Sequence, residues 1–177
     1  KMGLKVAHVE AGIRSFDLDM PEEINRMVTD SITDYFFTTS EYANENLKRL
    51  GVNNNNIFFV GNTMIDTLMK QKINFSKPHF WNELRLKSKG FIMLTSHRPS
   101  NVDDKANFFN ILTMILDNSN NIPIIFPVHP RTEKHIAKFN SEYKNLYRVS
   151  PLPYLEFNYL VNNSKAVITD SGGITEE

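Results

Sequence analysis

The sequence predicts an α/β protein of two lobes, each built on a parallel sheet, and three observations predict it. Short β-branched or aromatic runs alternate with longer segments of helical period, the pattern of βαβ units. The chain has 177 residues, 41% of them hydrophobic, enough to bury a substantial core. A polar stretch at 74–89, broken by Pro78, separates two groups of strands and is the best place for a boundary or hinge.

In order, strands are expected at 4–9, 35–39, 57–60, 90–95, 123–128, 146–149 and 165–169. Helices are expected between them at 21–33, 41–50, 63–72, 80–86, 103–118, 132–139 and 154–161. Pro21 fits a first helical turn, and Glu22 and Glu23 follow at its positive end. Gly51 directly after Leu50 reads as a helix stop, and the asparagine run 53–56 as a turn. The lobes are drawn as 1–62 and 63–177. The chain opens at Lys1 into a strand-like run and stops at Glu177 inside a starting helix, so both lobes read as partial, cut at the two ends.

Twenty basic and twenty acidic residues cancel. No bulk charge therefore draws the chain to nucleic acid, to an anionic membrane or to a polyanion, and any phosphate it binds must be met locally. With no cysteine, disulfides and thiolate metal sites are excluded, which fits a reducing compartment. No apolar run approaches the ~18 residues of a membrane span, and the N-terminus lacks a signal-peptide plan. The expectation is a soluble, cytoplasmic protein with no membrane partner.

Four strand ends carry candidate chemistry. Asp170-Ser171-Gly172-Gly173-Ile174-Thr175-Glu176-Glu177 follows the apolar run Ala166-Val167-Ile168. Glycines let a backbone approach a ligand, and free N–H groups at a helix start attract anions. Ser171 adds a hydroxyl, and Glu177 could take hydrogen bonds from ribose hydroxyls. The plainer alternative is an ordinary turn with a capping serine, since neither GxGxxG nor GxxxxGK is present. His8-Val9-Glu10-Ala11-Gly12-Ile13-Arg14 ends the first strand. Glu10 there lies in an apolar strand, where an ionised carboxylate needs a partner or a raised pKa. His8 and Glu10 share a strand face, but two ligands without a third make no metal site, and no metal is expected. Glu22 and Arg26, four apart on a helix, would make a surface ion pair if they had no other task. Thr95-Ser96-His97-Arg98 and Pro127-Val128-His129-Pro130-Arg131 each place a histidine and an arginine just past a strand. Together with the glycine turn, these two pairs point to an anionic ligand.

The strings HVEAGIR, PEEINR, VGNTMIDTL, SHRPSNVD, FPVHPRT and TDSGGITEE, in this order and spacing, resemble the non-hydrolysing UDP-N-acetylglucosamine 2-epimerases. The resemblance spans nearly the whole chain. It implies two Rossmann-like lobes in the glycosyltransferase-B-like arrangement, the second binding the nucleotide. The implied reaction inverts C2 of UDP-N-acetylglucosamine by anti elimination of UDP and its re-addition, without a cofactor. By the same resemblance Glu10, Glu22 and His97 are catalytic, the carboxyl groups handling the C2 proton and the histidine assisting the leaving phosphate. Arg26, Ser171, Gly172 and Glu177 would hold UDP or the substrate. Arg98 and His129 match positions that help some bacterial members bind a second, activating UDP-N-acetylglucosamine. The parent is implied to be a homodimer acting in polysaccharide biosynthesis, with UDP-N-acetylglucosamine and UDP as its ligands.

The chain departs from the family where many members read HRRE against His97-Arg98-Pro99-Ser100, and PVHLNP against the run from Pro127. The family's early arginine and a further catalytic aspartate in a GD-containing loop have no counterpart here, so this chain alone is expected to be an incomplete catalyst. Other functions open on the same scaffold are an epimerase of a modified substrate such as a diacetamido uronic acid derivative, a glycosyltransferase, and a UDP-sugar-binding module.

Overall fold

The computed structural model describes residues 2–98, 101, 104–128, 132–133, 136 and 143–176. It divides into two compact units, Lys1–Thr67 and Leu68–Glu177.

In the first unit three parallel strands lie in the order β1 (Ala7–Val9), β2 (Tyr35–Thr38), β3 (Ile57–Phe59). Helix Pro21–Ile32 connects the first two, with Pro21 in its first turn and Glu22 and Glu23 at its positive end. Helix Glu41–Arg49 connects the next two. The Ser40 hydroxyl accepts from the Ala43 N–H at its start, and the chain leaves it through Gly51 at φ +82. Ala11, Phe36 and Leu47 form the core here, with Val52 and Ile57 against them. β1 is shorter than the predicted 4–9 because the ladder with β2 covers only Ala7 to Val9.

The second unit is a four-stranded parallel sheet in the order β6 (Leu146–Val149), β5 (Ile124–Pro127), β4 (Ile92–Thr95), β7 (Ala166–Thr169). Successive strand side chains point to opposite faces, and two cores follow. On one face Leu94, Ile124 and Phe126 pack with Phe108, Leu112 and Leu116 of helix Lys105–Asp117. On the other, Met93 and Ile125 pack with Phe80, Trp81, Leu86, Phe91 and Leu160. A strand buried on both sides needs an unbroken apolar run, which Ile124-Ile125-Phe126 supplies. The parallel α/β architecture expected from the sequence is present in both units.

The stretch 74–89, expected as a boundary or hinge, lies within the second unit. It carries the short helix Phe80–Glu83, and Phe80, Trp81 and Leu86 are buried in the second core, the indole edge-on to both Phe91 and Tyr159. Its polar composition hid three anchors spaced over seven residues. Helix Lys105–Asp117 starts later than predicted because Asp104 caps it, accepting from the Ala106 and Asn107 N–H groups at 3.0 and 3.2 Å. Most of the helix expected at 132–139 lies outside the described residues.

Candidate functional site

β4 and β7 are neighbours and parallel, so their C-terminal ends lie together, where open α/β sheets receive ligands. Thr95 and Thr169 are the last registered pair, their hydroxyls 2.7 Å apart. Immediately beyond them Ser96-His97-Arg98 runs beside Asp170-Ser171-Gly172.

Asp170 ties the two segments together. Its Oδ2 accepts from the Ser96 hydroxyl at 3.2 Å, the Arg98 N–H at 2.9 Å and the Asn101 side-chain amide at 3.1 Å. The His97 N–H reaches both oxygens, at 3.1 and 3.0 Å, and the His97 ring nitrogen Nδ1 stands 2.9 Å from Oδ1. Burial alone would push this carboxyl up. The Arg98 N–H, the Asn101 amide, the His97 N–H and the His97 ring outweigh it and hold the group below its ordinary value, so Asp170 is an ionised acceptor at neutral pH. Its side chain is 11% exposed, whereas that of His97 is 59% exposed.

The turn after β7 is equally organised. The Ser171 N–H donates to the Thr169 hydroxyl at 3.0 Å, and the Ser171 hydroxyl accepts from the Ile174 N–H at 3.4 Å, capping the short helix Gly172–Glu176. Ser171 is therefore a cap, as the plainer alternative had it, and its hydroxyl, which accepts there, keeps a hydrogen to donate. Among the described residues, nothing beyond the adjoining chain lies within 4 Å of where a Cβ on Gly172 would be, so a ligand can approach the backbone closely there. Arg98 and Gly172 are exposed and Ser171 is half-buried. Glu177 and His129 lie outside the described residues.

In the first unit Glu10 is not in the strand. β1 ends at Val9, and Glu10 has φ +69, a left-handed conformation that terminates the extended run. It is exposed, so the burial argument for it lapses. The loop it opens is held from below by buried charges that sequence reasoning passed over. Glu23 is 1% exposed; it accepts from the Ser15 N–H at 2.9 Å and the Ser15 hydroxyl at 3.2 Å, and the Arg14 Nε lies 4.0 Å away. Asp30 accepts from the Arg14 guanidinium and meets the His8 Nδ1 at 2.5 Å. Burial works to raise the Glu23 pKa, but the Ser15 N–H and hydroxyl, the Phe16 N–H and the Arg14 charge prevail, and it sits below its ordinary value. Glu22, one residue earlier, is exposed, and among the described residues it forms no ion pair with Arg26. Of the paired glutamates, the second is structural and the first is left available.

The structure thus brings His97, Arg98, Ser171 and Gly172 to one sheet edge. Glu10, Glu22 and Arg26 belong to the other unit. Asp170, Asp30, Glu23 and Arg14 organise the two groups. For Asp170 a signal existed, a lone carboxylate at the tip of an apolar strand. A cavity of about 840 Å³ along the outer strand β6 is reached by Val128, Tyr143, Arg148, Ser150 and Pro153, and none of the predicted site residues among the described residues lines it.

The family model described as UDP-N-acetylglucosamine 2-epimerase matches residues 1–177. The chain belongs to that family. A UDP-N-acetylglucosamine 2-epimerase homolog of Methanococcus maripaludis is 46% identical over 184 residues, covering 100% of this chain and 51% of the relative. The UDP-N-acetylglucosamine 2-epimerase of Methanocaldococcus jannaschii is 44% identical over 188 residues, again covering 100% of this chain and 51% of its own length. The crystal structure of Methanocaldococcus jannaschii UDP-GlcNAc 2-epimerase in complex with UDP-GlcNAc and UDP superposes with a TM-score of 0.80 at 42% identity, over 99% of this chain and 51% of that one. The chain therefore spans about half the length of these epimerase relatives. Among the described residues no helix is long and apolar enough to cross a membrane.

Proposed function

We propose that the full-length protein carrying this chain interconverts UDP-N-acetylglucosamine and UDP-N-acetylmannosamine. The C2 proton leaves to a carboxylate as the bond from C1 to the diphosphate oxygen breaks, giving UDP and 2-acetamidoglucal. UDP then re-adds at C1 while a proton returns to C2 from the opposite face. Family membership supplies the reaction. The observation that carries the reading is the edge where β4 and β7 end, with His97 and Arg98 on one tip beside Ser171 and the open ground over Gly172 on the other. An anion held there meets an imidazole, a guanidinium, a hydroxyl and backbone N–H groups, the donors that a departing diphosphate needs.

In this reading Glu10 and Glu22 carry the C2 proton on its two faces, and His97 assists the leaving diphosphate. Arg26, Ser171, Gly172 and Glu177 bind UDP, while Arg98 and His129 serve a second, activating UDP-N-acetylglucosamine. Residues 63–177 form the nucleotide-binding lobe and 1–62 contribute the carboxylates. The exposure of Glu10 and Glu22, beside a buried and hydrogen-bonded Glu23, supports their assignment. No cofactor takes part, and the protein acts as a homodimer in the cytoplasm, supplying polysaccharide biosynthesis. Incubating the full-length protein with UDP-N-acetylglucosamine in deuterated water tests this. Deuterium at C2 together with UDP-N-acetylmannosamine is expected, and binding of UDP without any C2 exchange would overturn the reading.

A further inference from the structure

Asp170 does more than tie two loops, because its two oxygens are used differently. Oδ2 collects the loop donors: the Ser96 hydroxyl, the Arg98 N–H and the Asn101 amide all end on it. Oδ1 faces the His97 ring at 2.9 Å, and the His97 N–H bridges both. An ionised carboxylate can only accept, so the nitrogen facing it must carry a hydrogen. In neutral His97 that leaves the Nε2 lone pair on the far side of a ring that is 59% exposed, with no partner for Nε2 among the described residues.

We propose that Asp170 is a positioning residue for His97, fixing the imidazole in the Nδ1–H form with its ring plane held, so that Nε2 alone meets the diphosphate oxygen of the ligand. This rests on the role given to His97 above. The chemistry is that of a carboxylate orienting a histidine: it selects one tautomer, fixes the ring, and is not itself protonated. Nε2 then is the nitrogen whose proton comes and goes. Protonated, it donates to the diphosphate oxygen; neutral, it presents a lone pair and can take the proton back, while Nδ1–H stays on Asp170 throughout. The charged group that meets the ring among the described residues is Asp170 from the end of β7; Arg98, on the ring's own segment, reaches the same carboxylate through its backbone N–H. The other groups around the carboxylate, Ser96 and Asn101, are neutral.

A flexible surface histidine in water favours the opposite tautomer, which makes the inference readable. The replacement Asp170→Asn keeps shape and one acceptor. The Arg98 N–H and the Asn101 amide both require an acceptor at the Oδ2 position, so the carbonyl oxygen of the new amide goes there and its NH2 group turns to His97. Nδ1 must then accept, and the hydrogen moves to Nε2. The full-length protein is labelled with 15N-histidine, and the His97 resonances are identified by their loss in His97→Gln. In wild-type protein above the ring's titration, the protonated nitrogen should be Nδ1; in Asp170→Asn it should be Nε2. Ser96→Ala, which removes a loop bond but leaves the ring contact, should retain the wild-type pattern. UDP affinity should stay within about threefold in Asp170→Asn, while C2 exchange falls about a hundredfold, the lower end of what a positioned acid or base contributes.

A wild-type spectrum with the hydrogen on Nε2 overturns the proposal and needs no variant to fold. An unchanged tautomer in Asp170→Asn overturns it as well. If wild-type protein shows the Nδ1–H form but never exchanges the C2 hydrogen, the epimerase reading fails while the orienting contact stands, so the two ideas are separable.

Discussion

Gly12→Ala probes how the loop bearing Glu10 is seated. Gly12 has φ +79, and a Cβ built on it would lie 2.4 Å from the Ala43 carbonyl oxygen and 2.9 Å from the Leu47 Cγ. Left-handed backbone costs a residue with a Cβ about 1–2 kcal/mol. Forcing a methyl into a packed site costs about 1–3 kcal/mol more. The nearest obstacle is helix backbone, which no rotamer change can move aside. Retreat of the loop is also penalised, because the buried Asn46 amide donates to the Gly12 carbonyl at 3.0 Å, a bond worth about 1 kcal/mol. The total is about 3–6 kcal/mol, a large share of the ~5–15 kcal/mol that holds a domain together. Hydrogen exchange by mass spectrometry on the full-length protein reads it unit by unit. Amides of β2 and of helix Glu41–Arg49 should exchange roughly a hundredfold faster or more, since about 1.4 kcal/mol is a factor of ten. Amides of β4 and β5 should keep their wild-type rates. Unchanged exchange in helix Glu41–Arg49 would refute the close packing, and equal acceleration in both units would refute their treatment as separate stability units.

Phe91→Ala should destabilise the second unit by about 3–5 kcal/mol, because the ring is fully buried and edge-on to Trp81; a lowered denaturation midpoint with altered indole fluorescence checks it. Glu23 and Asp170 titrate below their ordinary values of 4.5 and 3.8, so in acid the unfolded chain binds more protons than the folded one. Their contribution is complete above about pH 5 and is lost as pH falls through the folded values. Glu23→Gln should therefore be less stable than wild type at pH 7 by a margin that closes towards pH 3, measured by urea denaturation across that range. Glu10→Gln and Glu22→Gln in the full-length protein should each lower turnover about a hundredfold or more while UDP affinity, followed by calorimetry, changes little. A large loss of UDP binding in Glu10→Gln would count against its assigned role.

The strands were legible because parallel sheets bury both faces and demand short, continuous apolar runs, as at 92–95 and 124–127. Helix starts were legible where a single residue sets them, as Pro21 and Ser40 do. Strand order was not, since nothing local in 146–149 or 166–169 says which of them flanks β4. Within 74–89 the short helix expected at 80–86 is present at Phe80–Glu83, but its sequence did not show that Phe80, Trp81 and Leu86 anchor a core. The candidate ligand contacts His97, Arg98, Ser171 and Gly172 stood out by type and position at strand tips. Their organisers did not. Asp30 meets Arg14 across 16 residues and His8 across 22, so it looks like an ordinary surface acid until the fold brings its partners in, and Asp170 showed only its place at a strand tip, since His97 lies 73 residues away.

Thr95 and Thr169 touch although 74 residues separate them. β5 and β6 intervene in sequence, yet in the sheet they lie on the other side of β4. Joining β4 to β7 thus closes a long loop, and pairings of high sequence separation form slowly and late because the chain entropy is lost before the contacts reward it. The candidate edge therefore comes into being only when β7 joins β4. A ribosome must release residues beyond 170 before any nascent chain can hold a ligand there. A ligand that binds only the joined pair is also a latch on it, worth about 2.7 kcal/mol at a hundred times its Kd. The supply of such a ligand would then set how often that seam opens, and with it how exposed the β4 edge is to proteases and to pairing with other chains.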